Sequence, residues 1–265
     1  MVNEGKMARR IAVISGKGGV GKTVITANLA AALASLGRRI LVIDADLGLA
    51  NLDIILGVDP QFTIQDVLRG NCSLEQVLID TNKGFDLLPA GSGLPEGTVV
   101  TTRLAEFFDT ILGSLEGRYD AILFDAGAGV GDVVLHCANL AHEILLVVTP
   151  EPTSLMDAYA TIKILNQLQE RKEFLLLVNQ ANPVSFGQIG ISVANRLQSV
   201  SAKFMGTQNA VRLVLMGCIP QDPAIPNAIK QRQLLRETDP QAASTCLISQ
   251  IADALDLRIH QNRPF

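Results

Sequence analysis

The sequence is short of charge. Asp, Glu, Lys and Arg make up only 18% of its 265 residues, against 48% apolar residues. What charge there is sums to −4, so the overall balance gives generic nucleic-acid binding no support. Long apolar runs are missing too: none approaches the ~18 residues that a spanning helix needs. Residues 1–10 carry basic side chains but no signal-peptide core, and a cytoplasmic location is the expectation. Cysteine is sparse and scattered. Cys72, Cys137, Cys218 and Cys246 form no CxxC pair, which favours plain buried thiols over a disulfide framework or a metal site. With no repeat and no low-complexity linker, residues 1–265 read as a single domain.

What the chain does have is alternation. Apolar, β-branched runs place strands near residues 11–15, 39–44, 85–89, 121–125, 144–149, 174–179 and 213–219. Helical patterns fall at 22–36, 63–68, 74–78, 101–115, 132–141, 154–169, 188–204 and 240–255. The fold class is α/β: a three-layer α/β/α stack around a mostly parallel twisted sheet. Ligands of such sheets sit at the carboxyl ends of the strands, and six expected strands end there in polar or Gly/Pro-rich residues.

The densest signal lies after the first strand. Gly16-Lys17-Gly18-Gly19-Val20-Gly21-Lys22-Thr23 satisfies G-x-x-x-x-G-K-[ST], a phosphate loop between a strand and a helix. Its glycines let backbone N–H groups converge on phosphate oxygens, and the helix start, through Val24, adds orphan donors and the positive end of a macrodipole. Lys22 is expected on the β- and γ-phosphates and Thr23 on Mg²⁺. The same glycines also spell a dinucleotide turn, with Asp44 at the end of the next strand. Lys22 and Thr23 decide against it, because that turn has no use for a lysine and a hydroxyl aimed at a terminal phosphate and a metal.

Other residues extend the site. Asp125 closes the run Ala121-Ile122-Leu123-Phe124, the Walker B placement for a Mg²⁺ acid. Gly127 and Gly129 then read as a switch that donates N–H groups to a γ-phosphate. Asp44 and Asp46 end the second strand, Asp46 as the residue that orients the attacking water and Asp44 as a further Mg²⁺ acid. Lys17 is one cation more than a phosphate loop needs and is free to reach phosphates bound by a second copy. For the base, Asn179-Gln180-Ala181-Asn182 stands where guanine readers carry Asn-Lys-x-Asp, without the lysine and the acid. ATP is therefore expected, with Asn179 on one side of adenine and the Pro220–Asp222 backbone on the other.

At these residues the chain resembles the MinD/ParA (SIMIBI) class of deviant Walker A ATPases. The residue run 44–53 is similar to the first switch of that class, and 125–129 to the second. The stretch Glu151-Pro152-Thr153-Ser154-Leu155-Met156-Asp157-Ala158-Tyr159 resembles the FlhG/FleN branch of flagellar-number regulators. The resemblance spans about residues 11–235. It implies an ATP-bridged homodimer with Lys17 reaching the partner's nucleotide and Asn51 at the interface. It also implies slow hydrolysis of ATP with Mg²⁺ and a protein partner in flagellar or other polar assembly, with recruitment to the pole or the inner membrane face. Lys17, Lys22 and Asp46 would be its catalytic residues. Two features depart from the branch. Residues 1–10 lack the Asp-Gln-Ala motif that stimulates its partner GTPase, so that activation is not carried over. The end of the chain, from Leu255 to Phe265, alternates more like a strand than a basic amphipathic helix, so membrane docking is expected to be weak or absent. Two relatives of the class remain as alternatives: a DNA-partitioning ATPase using Lys230, Arg232 and Arg236, or a cluster-bearing reductase using Cys137. Nucleic acid is the less favoured partner.

Overall fold

The computed structural model describes residues 7–46, 51–91, 98–115, 117–206 and 210–260. Among them, eight strands form one sheet: β1 Arg9–Ser15, β2 Ile40–Ala45, β3 Ile79–Asp80, β4 Asp86–Leu88, β5 Ala121–Ala128, β6 Glu143–Val148, β7 Glu173–Ala181 and β8 Arg212–Pro220. Their order is β3-β4-β2-β5-β1-β6-β7-β8. Every pairing is parallel except β3 with β4.

Burial on both faces explains why the strands read as continuous apolar runs. In β1, Ile11 and Val13 join one core layer and Ala12 and Ile14 the other. The first layer packs under α1 (Lys22–Ser35), α2 (Leu52–Leu56), α9 (Ala224–Gln231), α10 (Leu235–Thr238) and α11 (Ala243–His260). The second packs under α3 (Ile64–Leu68), α4 (Leu74–Val77), α5 (Thr98–Leu115), α6 (Asp132–Leu140), α7 (Pro152–Gln169) and α8 (Phe186–Met205). Fully burying a Leu, Ile or Phe side chain contributes about 1.5–3 kcal/mol, and Phe108, Phe124, Phe174, Leu29 and Ile43 are all buried to that degree.

Topology positions the site. β1 lies between β5 and β6, and the chain leaves it toward β2 on one side and later fills β6, β7 and β8 on the other. A ligand crevice opens where connections diverge like this, at the carboxyl ends. β2, β5, β1, β6, β7 and β8 are consecutive in the sheet, so the six chemically suggestive strand ends do share one edge.

All seven expected strands are present. The elements without a sequence signal are short: β3, α2, α9 and α10. One expectation fails outright. Leu255 to His260 is not strand-like but the last turns of α11, with Leu255 and Ile259 buried one helical turn apart. Arg258 there faces the protein, pairing with Glu143 at 3.0 Å and with Glu173. Residues 261–265 lie outside the described residues, as do 47–50 of the first-switch stretch. No helix among the described residues is long and apolar enough to cross a membrane.

Candidate functional site

The phosphate loop runs from β1 into α1. Gly21 occupies the N-cap of α1 with φ 87°, and no side chain caps that helix start. Its first N–H groups are therefore presented to the crevice, as an anion site requires. Gly19 also takes positive φ, at 78°, while Gly18 and Gly19 are exposed and Val20 is buried. Gly16 has a different reason to be glycine. A Cβ there would stand 2.4–2.8 Å from the backbone of Asp157 and Ala158, so its bareness lets α7 close against the loop.

Behind the loop lies a buried charge cluster. Lys22 Nζ donates to Asp125 Oδ1 at 2.8 Å, with side chains only 7% and 1% exposed. The Thr26 hydroxyl lies 2.9 Å from the same oxygen and 3.0 Å from the Lys22 carbonyl. Asp125 Oδ2 is buried with no hydrogen-bond partner. Asp44 sits beside Asp125 in the β2–β5 register and is itself buried. Burial, then the neighbouring Asp125 charge, push the Asp44 carboxyl up to about 8, against the pull of the Asp46 N–H, Lys22 and the Leu52 N–H. The Asp46 N–H lies 3.0 Å from Asp44 Oδ1. Asp44 thus ties down both ends of the first-switch loop. Thr23 is half-buried on the first turn of α1.

Asp46 and the second switch meet. A Cβ on Gly127 would lie 3.7 Å from the Asp46 carboxyl. The switch glycines are not loose here, because β5 runs on to Ala128 and the Gly129 N–H donates to the Ser15 carbonyl at 2.8 Å. Lys17 points along the surface of its own chain. Its Nζ donates to Glu151 Oε2 at 2.9 Å and to Thr153 Oγ1 at 3.2 Å.

On the side expected to hold the base, Asn179 Nδ2 donates to the Val20 carbonyl at 2.8 Å and Gln180 Nε2 to the Gly19 carbonyl at 3.1 Å. Asn179 Oδ1 is buried and unpartnered. Gly21 must again be glycine, since a Cβ would come 2.5 Å from Asn179 Nδ2. Pro220 is buried at the end of β8. The Asp222 carboxylate is engaged in capping, accepting from the Ala224 N–H at 2.9 Å and the Ser244 N–H at 3.0 Å, so its side chain is not directed to a ligand.

Comparison with known proteins agrees with this geometry. The family described as "AAA domain" matches residues 8–177. The chain is 37% identical over 246 residues to the antiactivator FleN of Pseudomonas aeruginosa, covering 93% of this chain and 85% of that protein. It is 34% identical to the flagellum site-determining protein YlxH of Helicobacter pylori, covering 92% and 81%. The MinD of Pyrococcus horikoshii, solved complexed with Mg-ADP, superposes with a TM-score of 0.75 at 27% identity, covering 98% of this chain and 100% of that one. The chain belongs to the MinD/ParA class of P-loop ATPases. A MinC:MinD cell division complex from Aquifex aeolicus gives a TM-score of 0.76 at 29% identity, covering 97% and 98%.

The residues of this class member fit a nucleotide with Mg²⁺. The uncapped start of α1 suits phosphate, and the idle Asp125 Oδ2 beside a threonine-bearing first turn suits a hard cation. Thr26 was not singled out in the sequence, and Gln180, Glu151 and Thr153 stood there only within longer runs, with no contact assigned to them. Thr26 was detectable in principle, since it lies one helical turn after Lys22. The two alternative readings gain nothing. Cys137 is fully buried on α6, so it is not presented at a surface that a second copy could share. Arg236 is folded onto α1, donating to the Ala31 carbonyl at 2.8 Å, which takes one member out of the basic run.

Proposed function

We propose that this chain is an ATP-driven dimerisation switch that acts in the placement or number control of bacterial flagella. The single observation that carries the nucleotide part is the set of unmatched groups on one sheet edge: the open start of α1, Asp125 Oδ2 and Asn179 Oδ1. Leaving buried polar atoms unpaired costs about 1–3 kcal/mol each. A ligand that satisfies all of them together accounts for their persistence.

The base follows from one amide. Asn179 gives one N–H to the Val20 carbonyl, and its Oδ1 is an acceptor without a partner. Adenine offers a donor amino group where guanine has a carbonyl, which favours ATP. When bound, ATP supplies the phosphoryl group passed to water, and Mg²⁺ screens its charge. Lys22 would trade the Asp125 carboxylate for phosphate oxygens. Asp125 and Thr23 would then hold Mg²⁺, with Asp44 behind them. Asp46, above Gly127, orients the attacking water, and Lys17 reaches the nucleotide of a second copy. Hydrolysis is slow, because a switch needs long-lived states.

Likeness to FleN and YlxH supports the flagellar role. Location in the cytoplasm with recruitment to the pole, one folded domain and weak membrane docking complete the reading. Arg258 is already committed inside the fold, which supports the last of these. Sedimentation of Asp46→Ala with ATP and Mg²⁺ tests the switch. A dimer is expected, and a monomer would contradict it. Counting flagella in cells lacking the protein tests the role, and an unchanged number and position would rule it out.

A further inference from the structure

We propose that Gln180 is a positioning residue of the phosphate loop: with Asn179 it pins two successive loop carbonyls and so presets the N–H groups that meet phosphate. This rests on the reading of residues 16–24 as a nucleotide site and names what holds that site ready.

Regular strand geometry would not allow the arrangement. Successive side chains of a strand point to opposite faces, so Asn179 and Gln180 of β7 should serve opposite sides of the sheet. Both instead reach the phosphate loop. Asn179 Nδ2 donates to the Val20 carbonyl at 2.8 Å and Gln180 Nε2 to the Gly19 carbonyl at 3.1 Å. A β-bulge makes this possible. Val178 pairs with Cys218 and Ala181 with Pro220, so Asn179 and Gln180 together stand opposite Ile219 alone. A bulge carries one extra residue and re-aims side chains. Gln180 takes φ 57° there, in the left-handed region that residues with a Cβ seldom enter. Glycine would adopt that backbone more easily but has no amide to offer. The strained conformation is therefore tied to the contact it makes.

Peptide planarity gives the contact its consequence. In a trans peptide the carbonyl and the next N–H point in opposite directions. Holding the Gly19 and Val20 carbonyls toward β7 turns the Val20 and Gly21 N–H groups away from it. These two groups come just ahead of the uncapped start of α1, where successive N–H groups make an anion nest. Gly21 lets the clamp approach this closely, since a Cβ there would stand 2.5 Å from Asn179 Nδ2 and 3.9 Å from Gln180 Nε2. A loop already set for phosphate loses less conformational freedom on binding. Gln180 thus raises ATP affinity through the loop it holds.

The test uses two variants. Gln180→Ala removes the amide and keeps the left-handed strain; Gln180→Gly removes both. Titration calorimetry with ATP and Mg²⁺ should give the same loss of affinity in each, about 2- to 12-fold, as for one neutral hydrogen bond. Thermal unfolding should separate them, with Gln180→Gly melting about 2–4 °C above Gln180→Ala, because only glycine is at ease in the left-handed region. A residue that merely supported the fold would lose affinity and stability together. In the nucleotide-free chain, NMR relaxation should show the Val20 and Gly21 amides loosening in both variants, from an order parameter of about 0.85 toward about 0.6. Wild-type affinity in both variants, or affinity that returns in Gln180→Gly along with stability, would overturn the positioning role. Unchanged order at those two amides would overturn it as well. A wild-type chain that binds no ATP would overturn the nucleotide reading instead, and the order of the two amides in the empty chain would still decide whether Gln180 holds the loop.

Discussion

At the amino edge of the sheet, Glu143 accepts from Arg9 at 2.6 Å and from Arg258 at 3.0 Å, and Glu173 takes Arg258 and, at 3.2 Å, Arg212. Arg39 pairs with Asp120 at 2.9 Å and Arg38 with Asp256 at 2.7 Å. At the carboxyl edge, Lys22 and Asp125 share one 2.8 Å contact, while Asp125 Oδ2, Asn179 Oδ1 and Thr149 Oγ1 are buried with no partner. One edge matches its charges with one another, stapling strand starts β1, β6, β7 and β8 to the end of α11. The other is held partly unmatched, with Asp44 pushed to its neutral form by burial and by Asp125. The difference teaches which edge serves stability and which waits for a ligand.

The comparison breaks most visibly at Lys22. Lys22→Ala should weaken ATP binding about 100-fold, roughly 3 kcal/mol for a charge-assisted contact to phosphate; titration calorimetry reads it. Next in size, Glu143→Ala should lower unfolding free energy by about 2 kcal/mol, because it removes the buried carboxylate that Arg9 and Arg258 share. Chemical denaturation measures that loss, and ATP affinity should stay the same.

A smaller effect sharpens the contrast through pH in the ligand-free chain. Asp44 has a folded pKa above its ordinary range, so its stabilising contribution is full below about pH 4 and is lost as pH rises through about 8. His142 runs the other way. Burial, with Arg10, Arg9 and Arg171 nearby, pushes it down to about 4, so its contribution is complete above about pH 6.5 and falls as acid is added. Between pH 6.5 and 8 only the Asp44 slope of these two remains, and Asp44→Asn should flatten it in denaturation curves. Smallest of all, Arg39→Ala at the amino edge should cost less than about 1 kcal/mol, since that pair is largely exposed.

Legibility in the sequence followed the same division. The strands could be read because burial on both faces leaves continuous apolar runs, and the phosphate loop because its glycines, lysine and threonine are tied to one chemistry. Asp44, Asp46 and Asp125 could be placed because strand ends of a parallel sheet share an edge. The partners of these groups could not. Nothing local says that Gly16 makes room for α7, that Gln180 reaches back to Gly19, or that Glu151 turns away from its own helix toward Lys17; each is a contact across more than a hundred residues. The last turns of α11 were misread because Leu255, Leu257 and Ile259 alternate, although the buried pair Leu255 and Ile259 equally fits a helical turn. Short α9 was missed because Pro223 and Pro226 break the apolar period where it begins, and α10 because its single turn is too short to show a period.

The claim that the carboxyl edge is kept unmatched for ATP is tested most directly by amide hydrogen exchange with and without ATP and Mg²⁺. The account predicts slowed exchange at 16–24, 125–129 and 179–180, with the amino-edge residues around Arg9, Glu143 and Arg258 unchanged. Protection confined to the amino edge, or to the cavity that Asn28, Ala32, Arg236, Thr245 and Ile248 line between α1 and α11, would contradict it.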